Sequence, residues 1–193
     1  MYSSYISYNT LASDYVTCTS LGVRRSGALR EQYVGTIAQA VANVVKVESP
    51  IHQTELVKRI RLLWGLRRSG SRIQSAIDTA VTHAVKIGLV KRLDGFLFNP
   101  AKRNIVPRKR DGDPPPDIDL ISEDEIAAAV LLVLKYQLAT PMDDLITQTS
   151  RLLGILVTHS QVAKRIKWVI GRLLKSSEIL DGPTGGLQLN DEK

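Results

Sequence analysis

Residues 89–98 read LVKRLDGFLF, and this stretch decides the fold. Two short runs, Leu89–Leu93 and Phe96–Phe98, flank an Asp-Gly pair, which is a strong local signal for a tight β-hairpin. In the residues before it, apolar side chains recur at helical spacing rather than in alternation. Three helices followed by a β-hairpin is the order of a winged helix, a helix-turn-helix variant whose third helix can enter the major groove of DNA.

The boundaries of the three expected helices come from the residues between them. Pro50 interrupts the chain after the first helix, because proline breaks a helix, and Gly65 follows the end of the second. Ser71 is expected to cap the start of the third helix. The expected helices are Val34–Val47, Gln53–Trp64 and Ser71–Ile87.

The same pattern returns at a constant offset of 89 residues without a gap. Ile37 corresponds to Ile126, Gly65 to Gly154 and Ser71 to Ser160. A repeat that keeps its register through three helices indicates two copies of one supersecondary unit. The second copy is expected to have helices over Glu123–Gln137, Met142–Leu153 and Ser160–Lys175, then a hairpin from Glu178–Leu180 and Leu187–Leu189. The predicted fold class is mainly α with small β-hairpins, built as tandem winged helix-turn-helix repeats.

The repeat divides the chain into four segments. We expect a loosely ordered N-terminal arm (1–33), a basic winged-helix unit (34–99), a proline-rich basic linker (100–121) and a second winged-helix unit (122–190). Ser122 and Glu125 have the spacing of a capping box at the start of the second unit.

Charge and composition narrow the function classes. The net charge is +7, and residues 34–112 hold 15 Lys and Arg against 5 Asp and Glu. That half of the chain therefore favours a polyanionic partner. The longest apolar run is shorter than the roughly 20 residues needed to cross a bilayer, and no signal peptide opens the chain, so we expect a cytoplasmic protein without a membrane partner. One cysteine and three scattered histidines predict neither a disulfide nor a metal site, and no cofactor or catalytic motif is recognised.

The loop before the third helix of the first copy is the best candidate site. Residues 66–74 read LRRSGSRIQ. Arginines at a helix start can pair with phosphates or guanine edges, hydroxyls can bind phosphate oxygens, and a glutamine can read adenine. A solvated helix start with scattered arginines is the plainer alternative. The candidate residues are Arg67, Arg68, Ser69, Ser71, Arg72 and Gln74.

Further cations extend this candidate site. Lys91 and Arg92 lie on the predicted wing, where an ordinary basic strand edge is the alternative. The cluster Arg108, Lys109 and Arg110 adds non-specific affinity for a polyanion or only solubilises the linker. In the second copy, Lys164 and Arg165 follow the start of the third helix, where packing on another domain or protein is an equal alternative. Trp64 and Trp168 are expected to pack in a core or between domains.

A family resemblance points the same way. The stretches at residues 49–56 (SPIHQTEL), 68–73 (RSGSRI) and 95–98 (GFLF) resemble a bacterial domain family of unknown function. That family usually forms the C-terminal region of large superfamily I helicase-like proteins, some of which carry a nuclease domain. The second copy is similar to the segment that follows it there. The resemblance implies a DNA-associated role, with helicase or nuclease proteins as partners, and supplies no catalytic residues.

The leading hypothesis is a non-enzymatic module that binds nucleic acid, double-stranded DNA rather than RNA, through the third helix and wing of the first unit. The rival is a protein-interaction or scaffold module, either a homodimer or a subunit of a helicase or nuclease complex. A small nuclease would need a cluster of carboxylates with a lysine, and the sequence shows none.

Overall fold

The computed structural model describes residues 12–24, 26–67, 70–112, 114–137, 139–182 and 185–190. The chain divides into two compact units. The first unit spans Val16–Asn104, and the second joins the chain up to Tyr15 with the chain from Ile105 onward.

The described residues form six α-helices and seven short strands, and the helices and the two hairpins follow one another in the order that the repeat predicts. The helices are α1 (Val34–Glu48), α2 (Gln53–Leu63), α3 (Ser71–Lys86), α4 (Glu123–Tyr136), α5 (Met142–Leu152) and α6 (Ser160–Lys175). The strands are β1 (Ser13–Asp14), β2 (Ile51–His52), β3 (Lys91–Leu93), β4 (Phe96–Phe98), β5 (Arg108–Lys109), β6 (Ile179–Asp181) and β7 (Leu187–Leu189). The predicted fold class, mainly α with small β-hairpins, is confirmed.

The Asp94-Gly95 pair forms the tight turn that the sequence predicts. Both residues have a positive φ, 48° for Asp94 and 80° for Gly95. This is the conformation that a two-residue hairpin turn requires. β3 and β4 pair antiparallel on either side of the turn, and β2 joins the far edge of β4, with Ile51 opposite Leu97.

The core of the first unit forms where α1 packs against α3. Val41, Val44, Ile77 and Val81 are completely buried there, and Trp64 is 7% exposed. Because helical spacing places these residues on one face of each helix, the opposite face of α3 is exposed to solvent.

The second unit repeats this arrangement with its own core. Leu145, Ile166 and Ile170 are completely buried between α4, α5 and α6. Thr140 bridges Leu187 of the β6–β7 hairpin, just as Ile51, 89 residues earlier, pairs with β4 of the first unit. The same pairing order therefore recurs in both units, although β6 and β7 begin 88 and 91 residues after β3 and β4.

Some helix starts differ from the sequence prediction. The N-cap of α3 is Gly70 and that of α6 is His159, so Ser71 and Ser160 are the first helical residues. Ser122 does cap α4, since its hydroxyl accepts from the backbone N–H of Glu125 at 3.3 Å. The Glu125 side chain does not complete the capping box, because it binds two arginines instead.

The segment before α1, assigned from the sequence to a loosely ordered arm, is divided between the units in its described part. β1 runs parallel to β5 in the second unit. Cys18, Leu21 and Leu29 are buried in the first unit's core. The segment around them shows no sustained helical or strand period, so the sequence pattern did not reveal that they fill a core.

The stretch assigned to a linker is also partly structured. Its first residues, through Asn104, close the first unit, whereas β5 belongs to the second. Ile118 and Ile121 are 2% and 1% exposed in the second unit's core. The three prolines between them and β5 lie in the exposed or half-buried stretch 114–116.

Candidate nucleic-acid interface

The solvent face of α3 is the central surface of the candidate interface. Arg72, Ser75, Thr79, Thr82 and Lys86 follow one another at three- and four-residue steps and are all exposed. Side chains at that spacing lie on one face of a helix. We call this row the α3 face; it contains no carboxylate and has a cation at each end.

The hydroxyl side chains in the middle of the α3 face are short and project little from the helix. Thr79 donates to the backbone carbonyl of Ser75 at 2.8 Å, and Thr82 donates to that of Asp78 at 3.0 Å. Their oxygens keep acceptor capacity toward solvent. Sequence reasoning missed these three hydroxyl residues, although the helical spacing from Arg72 could have found them.

The predicted arginines at the start of α3 are exposed. Arg67 and Arg72 both face solvent, and neither has an ion-pair partner in the part of the chain that the structure describes. Ser71 is exposed beside them. Arg68 and Ser69 lie outside the described residues. Two unpaired guanidiniums next to the positive end of a helix form an electropositive surface.

Gln74 is engaged within the protein. Its side-chain amide donates to both carboxylate oxygens of Asp78 at 3.1 Å, and Gln53 of α2 donates to the same carboxylate at 2.8 Å. Asp78 therefore holds both glutamines, and Gln74 would have to leave it to read a base.

A groove separates the N-terminal part of α2 from α3 and the β3–β4 hairpin. Its lining includes Gln53, Lys58, Arg61, Asp78 and Arg92. The buried Oε1 of Gln53 and the buried Nε of Arg61 have no hydrogen-bond partner among the described residues. Buried polar atoms are normally paired, so two unpaired ones at a groove are consistent with a site that a ligand or water completes.

The wing adds cations beside this groove. Lys91 and Arg92 are exposed on β3, as the sequence predicts, and Arg92 lines the groove. On the other side of α3, Arg30 lies next to Ser71 and Arg72 and pairs with Glu31 at 3.3 Å. Sequence reasoning missed Arg30, Lys58 and Arg61, because only the packing of α2 and of the 3-10 turn Leu29–Glu31 brings them to α3.

The arginines of the predicted basic linker do not face solvent as a free cluster. Arg108 is 5% exposed, and its guanidinium donates to Glu125 at 2.6 and 3.0 Å. Arg110 donates to both oxygens of Glu125 at 2.9 Å. Lys109 pairs with Asp111 at 3.3 Å. The linker sequence alone does not show this role of the two arginines. The buried carboxylate that they bind lies in α4, 15 or more residues later in the chain.

The Glu125 cluster also fixes the charge state of its carboxyl group. Burial raises the pKa of Glu125, but hydrogen bonds and charges from Arg110 and Arg108 outweigh burial and lower it below the ordinary value. The Tyr15 ring lies beneath both guanidiniums, with their central carbons 4.7 Å and 4.5 Å from its centroid. The cluster therefore joins the segment after β1, the β5 region and α4 within the second unit.

The matching edge of the second unit has a different character. At the offset of 89, Leu156 stands where the first unit has Arg67, and Val157 where it has Arg68. These two apolar side chains are 76% and 74% exposed. Gln161, which replaces Arg72, donates to Asp119 at 2.6 Å.

The predicted cations of α6 differ from one another. Lys164 is exposed, whereas Arg165 is half-buried and pairs with Glu123 at 3.0 Å. Trp168, expected to be packed, is 53% exposed, so that prediction is wrong for Trp168 and correct for Trp64. The apolar face of α6 is filled by aliphatic residues, which leaves position 168 on the solvent side.

The described residues contain no group of three or more His, Cys, Asp or Glu placed to hold a metal ion. None of their helices combines the length and apolar character that a membrane span requires.

Comparison with known proteins gives one match. Residues 21–75 match the model of a family described as a protein of unknown function, DUF3320. The matched stretch runs from the segment before α1 to the first turn of α3, and so includes Arg67 and Arg72. No curated protein and no solved structure matches the chain. The first unit is thus similar to a domain family of unknown function over most of its helices.

Proposed function

We propose that the first unit is a non-catalytic, cytoplasmic module that binds double-stranded DNA through the α3 face and the β3–β4 wing. The observation that carries the proposal is the α3 face itself. It is free of carboxylates, has small hydroxyl side chains in its middle and ends in cations. A helix of this kind can approach a major groove closely, because short side chains do not hold the backbones apart.

Charge supports the same conclusion. Residues 16–104 contain 15 Lys and Arg against 5 Asp and Glu, whereas the rest of the chain has 11 against 14. Phosphate neutralisation supplies most of the affinity for DNA, so the contact belongs to the first unit. DNA is favoured over RNA because the major groove of A-form RNA is too deep and narrow for side chains to read.

The family resemblance extends the proposal to partners. Proteins of the family that the first unit resembles usually carry a helicase-like region. We therefore expect this chain to act beside a helicase or nuclease protein, which it would hold at duplex DNA.

A duplex titration tests the proposed interface. We expect Arg67→Ala/Arg72→Ala to weaken binding of a fluorescein-labelled duplex and to lower the slope of log K against log salt by about 1 per arginine removed. The matched control is Arg24→Ala/Lys46→Ala, which removes the same charge from two exposed cations of the first unit, with Lys46 on the outer side of α1. Fluorescence anisotropy at several salt concentrations gives both quantities. Equal affinity of the two folded double variants would rule out the α3 face as the contact.

A protein-interaction role is the second candidate, and Leu156 and Val157 favour it. Apolar side chains this exposed are typical of a docking surface rather than of a phosphate contact. Sedimentation of the free protein separates the candidates. A dimer that dissociates in Leu156→Ser/Val157→Ser, together with no duplex binding, would support the second.

A further inference from the structure

Trp168 is an exposed aromatic ring on the solvent side of α6. It is 53% exposed, whereas Trp64, the other tryptophan, is 7% exposed. Tryptophan buries a large apolar area when it packs, so a half-exposed ring in the middle of a regular helix is available to a ligand.

The charges around this ring form two groups. Arg165 and Arg172 approach the ring to 5.8 Å and 6.0 Å from its centroid. Both arginines pair with Glu123, and Arg172 also pairs with Asp124, so this side of the ring is electrically balanced.

The other group is unbalanced and positive. Lys164 lies one turn before Trp168 and Lys175 about two turns after it. Lys167 precedes Trp168 in the chain and lies one turn from both Lys164 and Gly171. All three are exposed, and none has an ion-pair partner among the described residues. The free charge of this face is therefore wholly cationic.

Gly171 leaves the helix surface open one turn beyond Trp168. A Cβ at this position would meet no atom within 4 Å. Glycine inside a helix is less stable than alanine, and neither packing nor a positive φ requires it here. A residue that lowers helix stability without a structural reason is expected where the helix surface has a function.

We propose that the exposed face of α6 binds single-stranded nucleic acid, with an unpaired base stacked on Trp168 and the flanking phosphates on Lys164 and Lys167. Stacking on aromatic rings combined with cations along the backbone is how proteins hold single strands without sequence preference. An acidic peptide would satisfy the lysines, but it would offer the ring no comparable planar partner. The site is separate from the duplex contact proposed for the first unit, since a base on Trp168 has to be unpaired.

Tryptophan fluorescence tests the proposal on the full chain. Because Trp64 is buried, quenching by a dT oligomer of about 12 nucleotides reports on Trp168. We expect saturable quenching. In anisotropy with the labelled oligomer, we expect a loss of affinity of roughly tenfold for Trp168→Ala, and a weaker salt dependence for Lys164→Gln/Lys167→Gln.

Two further variants sharpen the test. Tyr136→Ala is the matched control, because Tyr136 is 47% exposed beside Lys135 at the end of α4 and should not affect oligomer binding. Gly171→Leu should weaken oligomer binding by covering the open surface, while Gly171→Ala should raise the melting temperature.

Three outcomes would overturn the proposal. These are no quenching by the oligomer, equal quenching by poly-glutamate, which would indicate an acidic protein partner, or equal losses in Tyr136→Ala and Trp168→Ala. The two interfaces are distinguishable. Trp168→Ala should leave duplex affinity unchanged, and Arg67→Ala/Arg72→Ala should leave quenching by the oligomer unchanged.

Discussion

At the scale of single residues, the Glu125 cluster shows that charge counted along a sequence is not charge at the surface. Residues 108–110 read RKR and predict a cationic linker. In the structure, one fully buried carboxylate binds the two arginines, and Tyr15 lies against both. Removing one partner of such a buried group leaves the others uncompensated, so each member depends on the rest.

Acid should weaken the protein through Glu125. Because the folded pKa lies below the unfolded value of about 4.3, the carboxylate contributes stability above that pH. This contribution is lost as the pH falls through the folded pKa. We expect Glu125→Gln to melt at a lower temperature than the wild type at pH 7, and the difference to shrink toward pH 3. Calorimetry across this range measures it.

A control variant separates this effect from general acid unfolding. Asp181 is an exposed carboxylate of the second unit. Asp181→Asn should melt like the wild type at every pH. A constant difference between Glu125→Gln and the wild type from pH 7 to pH 3 would contradict the assignment.

At the scale of secondary-structure elements, the repeat preserves positions while changing the interactions made there. Glu48, at the end of α1, pairs with Arg59 of α2 at 2.7 Å. The residues 89 positions later, Gln137 and Gln148, form a neutral hydrogen bond of 2.6 Å. One contact between two helices is thus made by an ion pair in the first unit and by two amides in the second.

The turns that end α2 and α5 provide a matched comparison. Gly65 and Gly154 have φ values of +81° and +91°. A Cβ at Gly65 would meet nothing within 4 Å, whereas one at Gly154 would overlap the carbonyl of Arg110. We expect Gly65→Ala to cost about 1 kcal/mol for the positive φ alone. Gly154→Ala should cost more, about 3 kcal/mol, because backbone has to move.

Chemical denaturation of both glycine variants measures the two costs side by side. Equal costs would show that the β5 segment does not constrain the end of α5. The comparison is internal, since both substitutions add one methyl group at the same place in the repeat.

The sequence predicts the helices and hairpins well because their determinants are local. Apolar spacing, Gly65 and the Asp94-Gly95 pair each act within a few residues. The predictions for Gln74, Arg108 and Trp168 were less accurate. Gln74 binds Asp78 and Arg108 binds Glu125. Trp168 is exposed because aliphatic residues occupy the buried face of α6. Such contacts are set by packing, and no sequence period reports them.

At the scale of the whole molecule, the order of the chain and the division into units do not coincide. The chain contributes β1 to the second unit, builds the entire first unit, and returns as β5 to pair with β1. A strand of two residues has no detectable period, and its partner lies 95 positions away, with Ser13 opposite Arg108. The sequence therefore assigned it to an arm.

A substitution at Tyr15, directly after β1, should therefore affect β5 and α4, which lie more than 90 residues later in the chain. We expect Tyr15→Ala to speed amide hydrogen exchange in α4 and β5, because the ring stacked on Arg108 and Arg110 is lost. Exchange in α1 and α3 should not change. Mass spectrometry of the exchanging protein resolves the segments, and Val16→Ala, at the adjacent exposed residue, is the control. Faster exchange confined to α1–α3 would refute this assignment.

The parallel pairing of Ser13–Asp14 with Arg108–Lys109 determines where the protein can be truncated without damage to the second unit. A fragment that starts at Val16 looks like a trimmed version of the first unit with everything downstream untouched. It would in fact deprive the downstream unit of a strand and of the aromatic ring that covers its arginines. The phenotype of such a truncation would therefore reflect damage to the second unit, although the deleted residues precede the first unit in the sequence.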